Sequence, residues 1–187
     1  ISTGKAENKF GLSIKNFKVF LKTVKSFKNV KLDALSVHIG SQILNDAPFR
    51  KTLNVMSKLI KELKLNLKYV DLGGGFGINY TDKEKPINLS KYSKLVHNFS
   101  KKLNCKIIFE PGRSIIGNTG LLISKIQFIK KGANKNFIIL DAGMNDFMRP
   151  ALYEAFHKII PISKKSSRMK GKICLLYTSP SPRDMWT

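Results

Sequence analysis

Residues 67–77, Leu-Lys-Tyr-Val-Asp-Leu-Gly-Gly-Gly-Phe-Gly, join a short apolar run to three consecutive glycines. The run Leu67–Leu72 is typical of a buried strand, which the glycines end. Because glycine lacks a Cβ, backbone N–H groups can approach an anion closely there. The stretch has neither the Gly-Lys-Ser/Thr of a Walker loop nor the GxGxxG spacing of a dinucleotide site. We interpret Gly73–Gly75 as a phosphate cradle, with a tight strand-end turn as the structural alternative.

Two further apolar runs, one before and one after residues 67–77 in the sequence, are also followed directly by a glycine or a polar residue. Ala34–Ile39 ends at Gly40, and Ile107–Phe109 ends at Glu110. Apolar residues at steps of three or four predict amphipathic helices over about residues 14–29, 47–64 and 89–103. Strands that alternate with helices run parallel, which predicts an α/β fold, either a barrel or a doubly wound sheet. In both folds, ligands bind at the carboxyl ends of the strands.

Polar residues follow both of these outer strands. His38 lies at the end of the first strand, where it can face a planar ligand, and the Ser41 hydroxyl can bond a phosphate. A structural histidine is the alternative for His38. The third strand ends in Glu-Pro-Gly-Arg, residues 110–113. Arg113 suits phosphate or carboxylate and Glu110 suits a protonated ring nitrogen, with a mutual ion pair as the alternative.

The pattern changes after about residue 118, where two apolar runs follow one another without a helix. Leu121–Ile129 and Asn136–Leu140 predict two strands that open an antiparallel domain. Arg149 and Tyr153 are four residues apart and share a face if the chain turns helically after Pro150. They would then present a cation and a hydroxyl to one anion, although an exposed loop arginine is the alternative.

The last segment, Cys174–Thr187, differs in composition from the rest of the chain. Its residues 177–183 are rich in turn formers and have no periodicity. The segment resembles sequencing-adapter read-through, so we interpret residues 174–187 as a non-native tail and leave them out of the fold prediction.

The net charge of +22 is compatible with nucleic-acid binding. Lys supplies most of the basic residues and is spread along every segment, whereas Arg, the usual partner of base edges, occurs at only five positions. We therefore predict a solvated Lys-rich surface and no nucleic-acid partner.

No apolar run is long enough to predict a membrane span, and the opening residues do not have the pattern of a signal peptide. The chain also lacks a starting Met, which suggests a piece of a longer protein. Cys105 and Cys174 fit no zinc or redox spacing, so we predict no metal site and a reducing cytoplasm. Cys105 is expected to be a core residue.

In this order, the motifs resemble those of the fold-type III pyridoxal-phosphate (PLP) decarboxylases, over about residues 11–158. The family includes enzymes that act on diaminopimelate, ornithine and arginine. Residues 148–153, Met-Arg-Pro-Ala-Leu-Tyr, are similar to the members that act on diaminopimelate, as are residues 1–4 and 8–11. The resemblance implies the C-terminal part of a PLP-binding (β/α)8 TIM barrel over residues 1–118 and a partial antiparallel β-domain over residues 119–173.

The resemblance also implies roles for the motif residues. Those implied to bind the cofactor are His38, Ser41, Gly73, Gly74, Gly75, Glu110, Gly112 and Arg113. Those implied to bind the substrate are Arg113, Arg149 and Tyr153. His38 would stack on the PLP ring and Glu110 would hold the pyridine nitrogen. The phosphate would lie against Ser41, the glycine amides and Arg113.

Two parts of the family's site are not found in this chain. The lysine that forms the Schiff base with PLP would precede Ile1, and the Cys-Glu-Ser motif shared across a homodimer is missing, since Cys174 precedes Leu175 and Leu176. No catalytic residue is carried over, so we expect this polypeptide alone to be inactive. For the complete protein, the resemblance implies decarboxylation of meso-2,6-diaminopimelate to L-lysine and CO2, the last step of lysine biosynthesis.

Three alternatives stay open. The first is another decarboxylase of the same family, acting on ornithine, arginine or carboxynorspermidine. The second is a non-catalytic PLP-binding barrel, against which the predicted strands after residue 118 argue. The third is a basic nucleic-acid-binding domain, which would bind with a steep dependence on salt.

Overall fold

The computed structural model describes residues 10–133, 136–162 and 172–175. The chain divides into two compact units, Ile1–Gly120 and Leu121–Thr187. Each unit contains a three-stranded sheet. Within the described ranges, no helix is both long and apolar enough to cross a membrane.

The long helices of the first unit are α1 (Ile14–Ser26), α2 (Ala47–Glu62) and α3 (Leu89–Leu103). They confirm the three predicted helices, although α1 and α2 end slightly earlier than the apolar spacing predicted. Side chains fix two of the starts: Ser13 accepts from the Asn16 N–H at 3.2 Å, and Asn88 accepts from the Lys91 N–H at 2.9 Å. Asn104, with a left-handed φ of 50°, ends α3.

The strands of the first unit are β1 (Ala34–Ser36), β2 (Tyr69–Asp71) and β3 (Lys106–Ile108). They are parallel and adjacent in the order β1-β2-β3, which confirms the predicted parallel arrangement. β1 and β2 are shorter than their apolar runs, and Gly73, at φ 64°, interrupts the extended backbone after β2. Hydrogen bonds still continue beyond it, from the Leu72 N–H to the Ile108 carbonyl at 3.0 Å and from the Glu110 N–H to the Gly73 carbonyl at 2.8 Å.

The core of the first unit forms where the apolar faces of α2 and α3 meet the sheet. Val70, in the central strand, is 0% exposed. Burial of apolar side chains such as these is the main stabilising contribution to the fold. Cys105 is also buried, as predicted, and desolvation raises the pKa of its thiol. The remaining members of the buried cluster are Phe49, Leu53, Met56, Ile60, Leu67, Leu72, Ile87, Tyr92, Val96 and Phe99.

The second unit contains β4 (Ile126–Lys131), β5 (Asn136–Leu140) and β6 (Lys172–Leu175). β4 and β5 are antiparallel, as predicted, and β6 pairs with β5 in parallel. The prediction that the first strand begins at Leu121 was wrong. β4 begins at Ile126, and just before it the Asp141 carboxylate accepts from the Ser124 hydroxyl at 2.6 Å and from the Lys125 N–H at 2.8 Å.

β6 includes Cys174 and Leu175, the first two residues of the segment interpreted as a non-native tail. They are in register with Ile139 and Leu140 of β5. The interpretation of residues 174–187 as a non-native tail stays a prediction, and residues 176–187 lie outside the described residues.

Candidate functional site

The carboxyl ends of β1, β2 and β3 lie at one edge of the sheet, because the strands are parallel and adjacent. Their last residues, Ser36, Asp71 and Ile108, are in register with one another. His38, Gly73 and Glu110 each follow their strand by the same offset. The structure therefore brings together the three motifs that the sequence placed at strand ends.

The glycines allow these three strand ends to approach one another. A β-carbon on Gly73 would lie 2.8 Å from the Val37 carbonyl oxygen and 2.9 Å from Nδ1 of His38. A β-carbon on Gly74 would overlap the carbonyl oxygen of Glu110, and one on Gly75 would overlap that of Gly40. Close packing against the backbone segments on both sides therefore requires glycine at residues 73–75, whether or not these residues also bind an anion.

The amides of the triplet are not equivalent. The Gly73 N–H already donates to Oδ1 of Asp71 at 2.8 Å. Within the described residues, the N–H groups of Gly74 and Gly75 donate to no acceptor. Within that part of the chain, the amides of Gly74 and Gly75 therefore have no protein acceptor, whereas the Gly73 amide is occupied.

Arg113 begins the short helix α4 (Arg113–Ile116), directly after the third strand end. Its Nη1 donates to Oε1 of Gln42 at 3.1 Å, and its Cζ lies 6.0 Å from the centre of the Tyr80 ring. In the described part of the chain, no carboxylate lies within ion-pair distance of Arg113, so the Glu110–Arg113 pair considered above does not form. Within that part of the chain, the guanidinium therefore keeps its positive charge uncompensated.

The remaining predicted cofactor residues lie at the same edge. The side chains of His38, Ser41 and Glu110 are exposed there and accessible to a ligand. A β-carbon on Gly112 would meet nothing within 4 Å, so packing does not require a glycine at that position.

Arg149 and Tyr153 lie in the second unit, on the short helix α5 (Arg149–Tyr153). Pro150 lies in its first turn, and the predicted helical turn is confirmed. The Arg149 Cζ is 5.9 Å from the centre of the Tyr153 ring, so the two side chains share a face. Burial, together with the positive charge of Arg149, lowers the pKa of His157.

The sequence analysis missed two residues that organise the edge. Asp71 accepts from the amide two residues ahead of it, and an aspartate two residues before the first glycine of a turn is a recognisable signal for this contact. Gln42 binds Arg113 across 71 residues of sequence, and no local pattern predicts such a contact.

An apolar cavity of about 970 Å³ borders the same edge. Phe76, Tyr92, Ile107 and Phe109 are among the residues that line it. They come from separate segments of the first unit, so the sequence alone did not predict a cavity there.

The family profile described as "Pyridoxal-dependent decarboxylase, pyridoxal binding domain" matches residues 1–117. The chain is 38% identical over 182 residues to the diaminopimelate decarboxylase of Aquifex aeolicus, which covers 93% of this chain and 43% of that one. It is 42% identical over 174 residues to that of Helicobacter pylori, covering 90% and 42%. The crystal structure of the Helicobacter pylori diaminopimelate decarboxylase complexed with L-lysine matches with a TM-score of 0.82 at 35% identity, over 97% of this chain and 45% of that one.

The chain spans less than half the length of the curated relatives that it matches. The structural match confirms the predicted fold class, a parallel α/β segment followed by antiparallel strands. The profile match covers more than half of the chain. The chain therefore belongs to the pyridoxal-dependent decarboxylase family, with residues 1–117 in its pyridoxal-binding domain.

Proposed function

We propose that the protein containing this chain decarboxylates meso-2,6-diaminopimelate to L-lysine and CO2, with PLP as its cofactor. The observation that carries the proposal is the meeting of His38, Gly73–Gly75, Glu110 and Arg113 at one edge of the parallel sheet. The similarity to diaminopimelate decarboxylases supports the choice of substrate.

The residues at this edge offer the chemical groups that binding of PLP would require. The amides of Gly74 and Gly75, the Ser41 hydroxyl and the Arg113 guanidinium are donors for a phosphate. Glu110 offers a carboxylate to a protonated pyridine nitrogen, and the exposed His38 ring can lie against the face of a planar ligand. We assign Gly73 to the shape of the site, since its amide already donates to Asp71.

When bound, PLP supplies an electron sink for the charge left by departing CO2. The Glu110 carboxylate would hold a proton on the pyridine nitrogen, which strengthens that sink. The glycine amides and Arg113 would anchor the phosphate and thereby fix the orientation of the ring.

Arg149 and Tyr153 are the proposed substrate contacts. The two side chains share one face of α5, so they can present a cation and a hydroxyl to one carboxylate. Diaminopimelate has a distal carboxylate that ornithine lacks. This pair therefore favours diaminopimelate over a substrate that would yield a diamine.

We further propose that residues 1–118 belong to a (β/α)8 barrel and residues 119–173 to a β-domain. We propose that the complete protein is a cytoplasmic homodimer without nucleic-acid or membrane partners. The even spread of lysine along the chain supports the absence of a nucleic-acid partner.

The test is decarboxylation by the complete protein that contains this chain. With PLP present, we expect CO2 release from diaminopimelate, with lysine as product, and little release from ornithine or arginine. Arg149→Met should raise KM for diaminopimelate at least about tenfold, since a charge-assisted contact is lost. Arg50→Met is the matched control, because Arg50 pairs with Asp46 on α2 instead. Turnover of ornithine or arginine, but not of diaminopimelate, would refute the substrate assignment.

A further inference from the structure

Gln42 has a backbone conformation that is unusual for its residue type. Its φ is 61°, in the left-handed region that glycine adopts without strain. Glutamine at such a position calls for an explanation in its side chain. The side chain is half-buried and makes three hydrogen bonds to residues far away in sequence.

Two of these bonds fix the side-chain amide on the backbone of Ile78. Nε2 of Gln42 donates to the Ile78 carbonyl oxygen at 2.6 Å, and Oε1 accepts from the Ile78 N–H at 3.3 Å. A β-carbon on Gly77 would lie 3.2 Å from Cδ of Gln42, so the absence of a side chain at Gly77 leaves room for the amide. The amide is therefore held in one orientation, with its oxygen available on one side.

The third bond joins that oxygen to Nη1 of Arg113 at 3.1 Å. An arginine only donates, so the amide must present its oxygen there. The contact uses one of the five N–H donors of a guanidinium and, unlike a carboxylate, does not neutralise its charge. Gln42 thus orients the cation and leaves its charge and other donors to an anion.

We propose that Gln42 is a positioning residue that holds Arg113 toward the phosphate of the cofactor. The inference rests on the proposed function, because it takes the anion to be the phosphate of PLP. Gln42 acts through Arg113 and not by contact with the reacting atoms. A purely structural role, in which Gln42 only ties the loops after β1 and β2 together, is the competing explanation.

The experiment compares PLP with pyridoxal, which lacks the phosphate, in binding titrations of the cofactor-free complete protein. Gln42→Met keeps the length of the side chain and removes all three bonds. We expect it to raise the dissociation constant for PLP about tenfold and that for pyridoxal less than about twofold. Gln42→Glu should weaken PLP binding further, because it puts a negative charge beside Arg113. Asn66→Asp makes the same amide-to-acid change at an exposed position at the other end of β2, and should leave both constants unchanged.

A double-mutant cycle separates positioning from structure. In an Arg113→Ala background, Gln42→Met should weaken PLP binding by less than about twofold, because nothing is left to position. Equal weakening of PLP and pyridoxal, unchanged PLP affinity, or full additivity with Arg113→Ala would overturn the inference. If circular dichroism shows that the Gln42→Met variant does not fold, Gln42→Glu replaces it in the same double-mutant cycle. If the complete protein binds PLP but does not decarboxylate diaminopimelate, the proposed substrate is refuted and the inference about Gln42 still stands. If the complete protein does not bind PLP, both are refuted.

Discussion

The two units of the chain differ in how they bury apolar side chains. In the first unit, α2 and α3 cover the parallel sheet, and residues such as Phe49 and Val70 are 3% and 0% exposed. Within residues 121–133 and 136–162 of the second unit, for which side-chain exposure is described, only Ile138 and Ala142 are buried hydrophobic residues, and Leu121 is 89% exposed. Both units have three paired strands, so strand pairing alone does not create a core. The helices that pack on the sheet supply it.

The largest expected effect tests this difference with one substitution made in both units. Phe49 packs against the rings of Phe76 and Tyr92, each at a centroid distance of 5.0 Å. Phe49→Ala should therefore lower the free energy of unfolding of the first unit by about 3–5 kcal/mol. Phe128, on β4, is 56% exposed, so Phe128→Ala should cost less than about 1 kcal/mol.

Urea unfolding with hydrogen exchange in each unit measures both losses. Similar losses for the two variants would break the comparison, because they would mean that the second unit has a core comparable to the first.

A smaller effect is expected at alkaline pH, from a group buried in the first unit. Burial raises the pKa of Tyr92 to about 12, and its hydroxyl has no hydrogen-bond partner within the described residues. An unfolded tyrosine ionises near pH 10. Between about pH 10 and 12 the unfolded state therefore holds fewer protons than the folded state, and stability falls as pH rises.

Tyr92→Phe should remove this contribution, roughly 2 kcal/mol at pH 12, and leave stability at pH 7 almost unchanged. Free energies of unfolding measured across this pH range check the prediction. Parallel pH dependence for Tyr92→Phe and the parent sequence would contradict it.

The smallest expected effect is on stability, and it compares the capped start of a helix in the first unit with the uncapped start of a helix in the second. Asn88 caps α3 by accepting from the Lys91 N–H, so Asn88→Ala should cost about 1 kcal/mol. α5, in the second unit, begins after Met148 without a side-chain cap. Met148→Ala should therefore change stability by less than about 0.5 kcal/mol. Urea midpoints measure both, and Ser90→Ala in the first turn of α3 controls for the loss of a polar side chain near the cap.

The sequence by itself predicted the three long helices of the first unit, the order of the strands along the chain and the motifs at the strand ends. These features depend on local patterns: apolar spacing along α1, α2 and α3, short apolar runs, and the glycines after Leu72. Parallel strands joined by helices have their carboxyl ends at one edge. The meeting of His38, Gly73 and Glu110 therefore followed from the order of the elements.

Tertiary structure decided which contacts the groups at that edge make. The contact of Gln42 with Arg113 spans 71 residues, and the Gly73 amide is occupied by Asp71. The glycines face neighbouring backbone as well as an open edge. Local preferences do not encode such contacts, because each depends on distances between segments that only packing brings together.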